Sequence, residues 1–311
     1  MESSEIGFSS GGYQLAGTLL LPAATPAAAA VLISGSGPID RDSNMKKQKL
    51  NVMRDVAEHL AAAGIASFRY DKRGVGDSEG DYRSTGLYEN IADAAAAVEA
   101  VRRHRDVDLD NVFVIGHSEG AFIASDLARS SDIAGAVLLS GAAHTGEEVM
   151  RWQAAQIADT IPRPVKLLLK LLRKDVLSIQ DKRLTQLKES QKDVERIQLV
   201  RINAKWFREF LAFDPSRALR RVRVPILAIT GSKDIQVNPA DVSLMEELVP
   251  TEFTGEVLPD VTHLLRRDDG PAGLKTYKKQ MKRPVDRRLL EMVASWVKDV
   301  ATTKDAAHDA V

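Results

Sequence analysis

The sequence predicts an α/β fold, a mostly parallel central sheet with helices on both faces and a helical insertion. Three observations carry this. Short apolar runs rich in Val, Ile, Leu and Ala alternate with segments whose apolar residues recur at helical spacing. The alternation stops near Gly141, and from His144 to Phe213 the chain reads as helical without a convincing strand. It then resumes at "VPILAITGSKD", a strand opened by Pro225. The 311 residues suffice for one large domain or two smaller ones, and 44% hydrophobic with 28% charged residues is ordinary for a globular chain.

The elements follow in order. "GYQLAGTLLLP" alternates and breaks at Gly and Pro, as in an opening hairpin. "AAVLISG" is a buried strand ending in glycine, and "KLNVMRDVAEHLAAAG" a helix stopped by Gly64. "IASFRY" is a strand, "YENIADAAAAVEAVRRH" a helix and "NVFVIG" a strand. "GAFIASDLARS" is a helix and "IAGAVLLSG" a strand. Past the insertion come the helix "PADVSLMEELV", the strand "TGEVLP", a loop with "DVTHLL" and a last helix with Pro284 at its first position. The tail "TTKDAAHDAV" has little to bury, and there is no internal repeat. Inside the insertion, "VKLLLKLLRKDVL" sets Lys166, Lys170 and Lys174 along one helical face. Residues 161–200 hold ten Lys/Arg against five Asp/Glu, which suits a solvated outer face or a lid for anionic or interfacial substrate.

Composition excludes several functions. Lys+Arg and Asp+Glu are both 43, so no global charge steers the chain to nucleic acid. No cysteine is present, which rules out disulfides, thiolate catalysis and Cys-ligated metal. No apolar run is long enough for a stable membrane span, and Glu2 and Glu5 precede the first apolar stretch, so a cytoplasmic location is expected.

The most informative segment is "VFVIGHSEGAFIA". Gly116-His117-Ser118-Glu119-Gly120 is G-x-S-x-G between a strand and a helix. Two glycines permit a tight turn that lifts Ser118 above the sheet edge, over a helix N-terminus that favours negative charge. A serine hydroxyl is a weak nucleophile and needs a base. Of six histidines, His59 and His104 lie in covering helices, His117 points away from its neighbour Ser118, and His308 is in the tail. His144 remains open. His263, in a loop just after a strand, is the best base. "AITGSKDIQV" places Asp234 beyond a strand's C-terminal end, fit to orient that imidazole. Asp260 competes, but three residues from His263 and just after Pro259 it reads better as a turn residue.

"ISGSGPIDRDS" follows the apolar run of the first buried strand and raises a choice between phosphate and oxyanion. Asp40 stands where a dinucleotide fingerprint wants its third glycine, and Walker A is absent. An oxyanion hole needs two converging backbone N–H groups. Glu119, after the nucleophile, supplies one, and Ser36 or its neighbour the other, because glycines let backbone approach a substrate closely.

Together these segments resemble the α/β-hydrolase superfamily. "FRYDKRGVGDSEG" is similar to its D-x-R-G-x-G-x-S segment. "SGSGPIDRD", "GHSEG", "KWFREFLAFDP", "VPILAITGSKDIQV" and "THLLR" resemble a bacterial esterase subgroup of its serine hydrolases. The resemblance covers almost the whole chain and is weakest over 145–200. Ala121, Thr262 and Ser34 depart from residues common there, without removing a catalytic group. It implies a core of 1–144 and 214–311 with a helical cap at 145–213. It also implies an acyl-enzyme esterase with Ser118 as nucleophile, His263 as base, Asp234 as orienting acid, and Ser36 and Glu119 as oxyanion donors. The implied partner is a small-molecule ester, with short acyl chains favoured. No cofactor or metal is required, and a homo-oligomer is allowed. Thioesterase, peptidase or acyltransferase chemistry could use the same triad, and a nucleotide-binding protein is the rival from another class. Arg41, Asp42, Arg69, Asp71 and Arg73 are expected to form an ion-paired scaffold near the active edge. Trp206, Phe207, Phe210 and Phe213, at helical spacing, are expected to pack the cap onto the core and to line an acyl pocket in part.

Overall fold

The structure is a computed structural model that describes residues 1–130, 132–160, 176–197 and 199–308. It opens with β1 (Glu2–Ser10) and β2 (Tyr13–Leu21), an antiparallel hairpin turning at Gly11 and Gly12, with φ of 55° and 85°. Glycine takes both angles without steric cost, which is why the chain reverses there. Next come β3 (Ala27–Ile33), the short hairpin β4 (Asn44–Met45) and β5 (Gln48–Lys49), α1 (Val52–Ala62), β6 (Ala66–Tyr70) and α2 (Leu87–Arg102). They are followed by β7 (Val107–His117), α3 (Glu119–Leu127) and β8 (Gly135–Leu139). The region after β8 holds α4 (Gly146–Asp159), α5 (Val176–Glu189), β9 (Val194–Ile197), β10 (Val200–Asn203), α6 (Ala204–Ala212) and α7 (Pro215–Leu219). The chain closes with β11 (Ile226–Gly231), α8 (Asp241–Leu248), β12 (Phe253–Leu258), α9 (Tyr277–Gln280) and α10 (Arg287–His308).

One eight-stranded sheet runs β1-β2-β6-β3-β7-β8-β11-β12. Every pair from β6 to β12 is parallel, and β1 and β2 extend the sheet antiparallel. Strands β3 and β8 are apolar throughout, as is β7 from Val112 to Ile115, because both faces are covered. In β3, Ala29, Val31 and Ile33 join Val98 of α2 and Phe122 of α3 on one face. Ala30 and Leu32 join Val56 of α1 and Leu289 of α10 on the other. Each buried Val, Ile, Leu or Phe among these contributes about 1.5–3 kcal/mol by leaving water. The parallel strands end together, so the loops after β3, β7, β11 and β12 share one edge of the sheet.

Two details differ from the sequence reading. The insertion is not purely helical, because β9 and β10 form an antiparallel hairpin there. Each strand is only four residues long, and Leu199, not glycine, takes the positive φ of 67° at the turn. The last helix begins at Arg287, three residues after Pro284, with Asp286 accepting from the Arg288 N–H at 2.9 Å. The basic face of Lys166, Lys170 and Lys174 lies outside the described residues. Among the described residues no helix is long and apolar enough to cross a membrane.

Candidate active site

Ser118 sits between β7 and α3 with φ 57° and ψ −118°, a conformation unusual for a residue with a side chain. Its own N–H donates to Leu139 at 2.9 Å, and its carbonyl accepts from Ala121 at 2.9 Å, which hold the strained turn in place. The flanking glycines are required by space. A Cβ on Gly116 would lie 1.9 Å from the Gly120 carbonyl oxygen, and one on Gly120 2.0 Å from that of Ile33. The turn can therefore press against β3 only with bare backbone at both positions.

The structure brings Ser118, His263 and Asp234 together. Ser118 Oγ lies 3.1 Å from His263 Nε2. His263 Nδ1 lies 2.8 Å and 3.1 Å from the two Asp234 oxygens. Asp234 and His263 are both 4% exposed, whereas Ser118 is half-buried and reachable. Asp234 Oδ1 also accepts the backbone N–H groups of Gln236 at 2.8 Å and Val237 at 3.1 Å. The carboxylate cannot rotate without losing both, so it presents Oδ2 to the imidazole. With Nδ1–H donating to Asp234, Nε2 is the free acceptor for the serine proton.

Of the two expected oxyanion donors, Glu119 follows this serine directly and Ser36 follows Gly35, whose backbone lies against it. Glu119 is the first residue of α3, so its N–H has no preceding turn to bond. The Gly35–Ser36 loop abuts the nucleophile, since a Cβ on Gly35 would lie 3.3 Å from Ser118 Cβ. Ser36 is exposed and Gly35 buried, so the loop lies between protein and open space.

The competing residues are engaged elsewhere. His144 pairs with the buried Asp241 at 3.0 Å. Asp260 bonds Lys233 at 2.6 Å, and that ammonium holds its carboxyl below the ordinary range. The charged set makes ion pairs: Arg41 with Asp71 at 2.6 Å, Arg69 with Asp42 at 2.7 Å, and Arg73 with Asp93 at 2.6 Å. Burial pushes the Arg41 guanidinium down, but hydrogen bonds and charge from Asp71 and Glu5 outweigh it and raise it overall. Trp206 stacks on Phe210 at 4.7 Å and meets Phe207 edge-on at 4.9 Å. Phe210 and Phe213 reach Phe122 of α3 at 5.1 Å and 6.0 Å, which packs α6 against the nucleophile's helix.

Two roles near the site have no signal in the sequence, although His117 does turn away from Ser118 as expected. His117 is buried, and its Nε2 donates to the His263 carbonyl at 2.9 Å, pinning the loop that carries the base. Burial, helped by the neighbouring His263, pushes its pKa down to about 3, so it is a neutral strut. Lys72 is 5% exposed and reaches both Gly35 and Glu119. Among the described residues no group of three or more His, Asp or Glu side chains is placed to hold a metal ion. A cavity of about 720 Å³, bordered by Pro225, Glu252 and Trp296, lies at the opposite ends of the strands and holds none of these residues.

Residues 47–270 match the family described as serine aminopeptidase, S33. The chain is 29% identical over 295 residues to Esterase EstD of Thermotoga maritima, covering 91% of this chain and 65% of that protein's length. Its fold is similar to that of the α/β hydrolase GrgF from Penicillium sp. sh18, at TM-score 0.63 and 16% identity, covering 96% of this chain and 99% of that one. Est1E from Butyrivibrio proteoclasticus, solved with ferulic acid, is similar at TM-score 0.63 and 17% identity, covering 97% and 99%. These likenesses establish an α/β-hydrolase fold, as the sequence predicts.

Proposed function

The chain belongs to the family described as serine aminopeptidase, S33, and we propose that it is a carboxylic ester hydrolase working through an acyl-enzyme on Ser118. The observation that carries this reading is the hydrogen-bonded line from Ser118 Oγ through His263 to Asp234. The similarity to a protein named as an esterase supports ester over amide chemistry.

In the first step Ser118 Oγ attacks the ester carbonyl carbon while His263 Nε2 takes the hydroxyl proton. The carbonyl electron pair moves to oxygen, which the Ser36 and Glu119 N–H groups stabilise. The intermediate collapses, the C–O bond to the alcohol breaks, and His263 returns its proton to the departing alkoxide. Water then attacks the acyl-serine by the same route and releases the acid. Asp234 supports the imidazolium formed in each step.

We assign the cap to residues 145–213 and read its described residues, 145–160, 176–197 and 199–213, as covering the mouth of the serine pocket. Its α6 aromatics pack on Phe122, and a pocket that they close early would favour acyl chains from acetyl to about hexanoyl, because a chain that cannot enter adds no binding energy to the transition state. The test is kcat/KM across a p-nitrophenyl acyl series, with matched anilides as the amide control and Ser118→Ala as the blank. A maximum at short esters with a dead Ser118→Ala is expected. A maximum at dodecanoyl or longer would discard the short-pocket reading, and faster anilides would make the chain a peptidase.

A further inference from the structure

We propose that Lys72 is a positioning residue for the oxyanion-binding amides, holding both halves of the hole with one ammonium group. The inference rests on the proposed serine-esterase reading. Lys72 lies in the loop after β6, and its Nζ is buried between β3 and α3. It donates to the Gly35 carbonyl at 2.7 Å and to Glu119 Oε1 at 3.2 Å. Asn90 of α2 donates to the same Glu119 oxygen at 2.8 Å. Gly35 carries the peptide that ends in the Ser36 N–H, and Glu119 carries the other N–H.

A trans peptide is planar, with its C=O and N–H pointing in opposite directions. Fixing the direction of the Gly35 carbonyl therefore fixes that of the Ser36 amide. Without the ammonium, a loop with glycine at 35 and 37 can rotate this peptide and turn a carbonyl toward the reacting centre. That error would replace a donor with an electron-rich acceptor where negative charge develops. The other end of the clamp holds Glu119 at the first turn of α3. The ammonium also offsets the carboxylate's charge, which would otherwise oppose the oxyanion beside it.

The cluster is a poor choice for stability alone. Lys72, Asn90 and Glu119 are each at most 5% exposed, and Glu119 Oε2 is buried without a hydrogen-bond partner. Burying two charges costs several kcal/mol in desolvation, and well-packed apolar residues often serve the core as well or better. What an apolar pair cannot do is hold the Gly35 carbonyl.

The test compares Lys72→Met with the double variant Lys72→Met/Glu119→Gln, which leaves no unpaired buried charge. The substrates are p-nitrophenyl butyrate and its thionoester, whose sulfur accepts hydrogen bonds weakly and gains little from the oxyanion amides. Loss of one oxyanion donor costs about 100–1,000-fold in kcat, so misdirecting one is expected to cost about 10–100-fold, with KM within about threefold. The thionoester rate should fall much less, so the oxoester-to-thionoester ratio shrinks in both variants. The proposal is overturned if a folded double variant keeps kcat near wild type or loses both substrates equally. It is equally overturned if neither variant melts cooperatively, which would assign the pair to the fold. Failure of the esterase reading looks different: wild type would turn over neither ester, or Ser118→Ala would match it.

Discussion

Asp234→Asn is expected to leave a folded protein with almost no turnover. Asp234 Oδ1 accepts two backbone N–H groups, from Gln236 and Val237. In the variant the amide oxygen must take that position, because an amide NH2 there would face two donors. The NH2 is then forced to the place of Oδ2, 2.8 Å from His263 Nδ1. An NH2 donates, so Nδ1 must become the acceptor and the proton moves to Nε2. Nε2–H then points at Ser118 and can no longer accept its proton. Inverting the tautomer this way costs about 10⁴-fold in kcat, or about 5 kcal/mol at 1.36 kcal/mol per tenfold. Folding should suffer less, by about 1–3 kcal/mol for the altered hydrogen bonds. The assay is kcat for p-nitrophenyl butyrate at neutral pH, with urea unfolding alongside. Asp260→Asn is the control, since Asp260 bonds Lys233 and not the histidine. An Asp234→Asn enzyme within tenfold of wild type, or an Asp260→Asn enzyme hurt more, would refute the tautomer argument and move the role to Asp260.

Gly116→Ala should fold poorly, because its Cβ would meet the Gly120 backbone at 1.9 Å and backbone cannot rotate away. Urea unfolding should report a loss of about 3 kcal/mol or more, and an unchanged midpoint would contradict the turn geometry. His117 titrates at about 3 when folded against 6.5 ordinarily, so the unfolded chain binds the extra proton and stability rises with pH. Its contribution is therefore whole above pH 6.5 and is lost as pH falls toward 3, by at most about 1.36 kcal/mol per pH unit. His117→Gln should flatten that part of a stability–pH curve, and an equal slope in both proteins would dismiss the strut. Asp71→Ala removes a buried carboxylate that accepts from the Arg41 guanidinium and from the Arg41 and Asp77 backbone N–H groups, while Arg41 keeps Glu5 and Asp77, and should cost about 1–3 kcal/mol in urea while leaving kcat nearly intact. A large fall in kcat with normal stability would make this pair part of the active site.

The sheet and the line of site residues were legible because their signals are local. Ser118 stands between an apolar strand and a helix, where two glycines have a steric reason visible in the sequence. Asp234 and His263 each follow a strand, and parallel strands deliver such loops to one edge. The rest depended on distant partners. Lys72 sits between Asp71 and Arg73, two members of the expected ion-paired scaffold, but nothing local names its own partners, and it is buried because Glu119 and Gly35 meet it from other elements. Arg266 is 1% exposed and donates to the Leu264 and Arg283 carbonyls, a role with no sequence signature. Asp93 is buried in α2, where desolvation raises its carboxyl against the pull of Arg73. Only the loop after β6 and α2 coming together could reveal that pairing. The β9–β10 hairpin was missed because "VERI" and "VRIN" are too short and too charged to stand out from helix.

The most direct test of the central claim is covalent. The purified protein is treated with a fluorophosphonate, digested and mapped by mass spectrometry, with Ser118→Ala in parallel. The account expects one adduct per chain, on Ser118, appearing in step with the loss of p-nitrophenyl butyrate hydrolysis and absent from the variant. An adduct on another residue that tracks the loss, or full hydrolysis with Ser118 labelled, would contradict it.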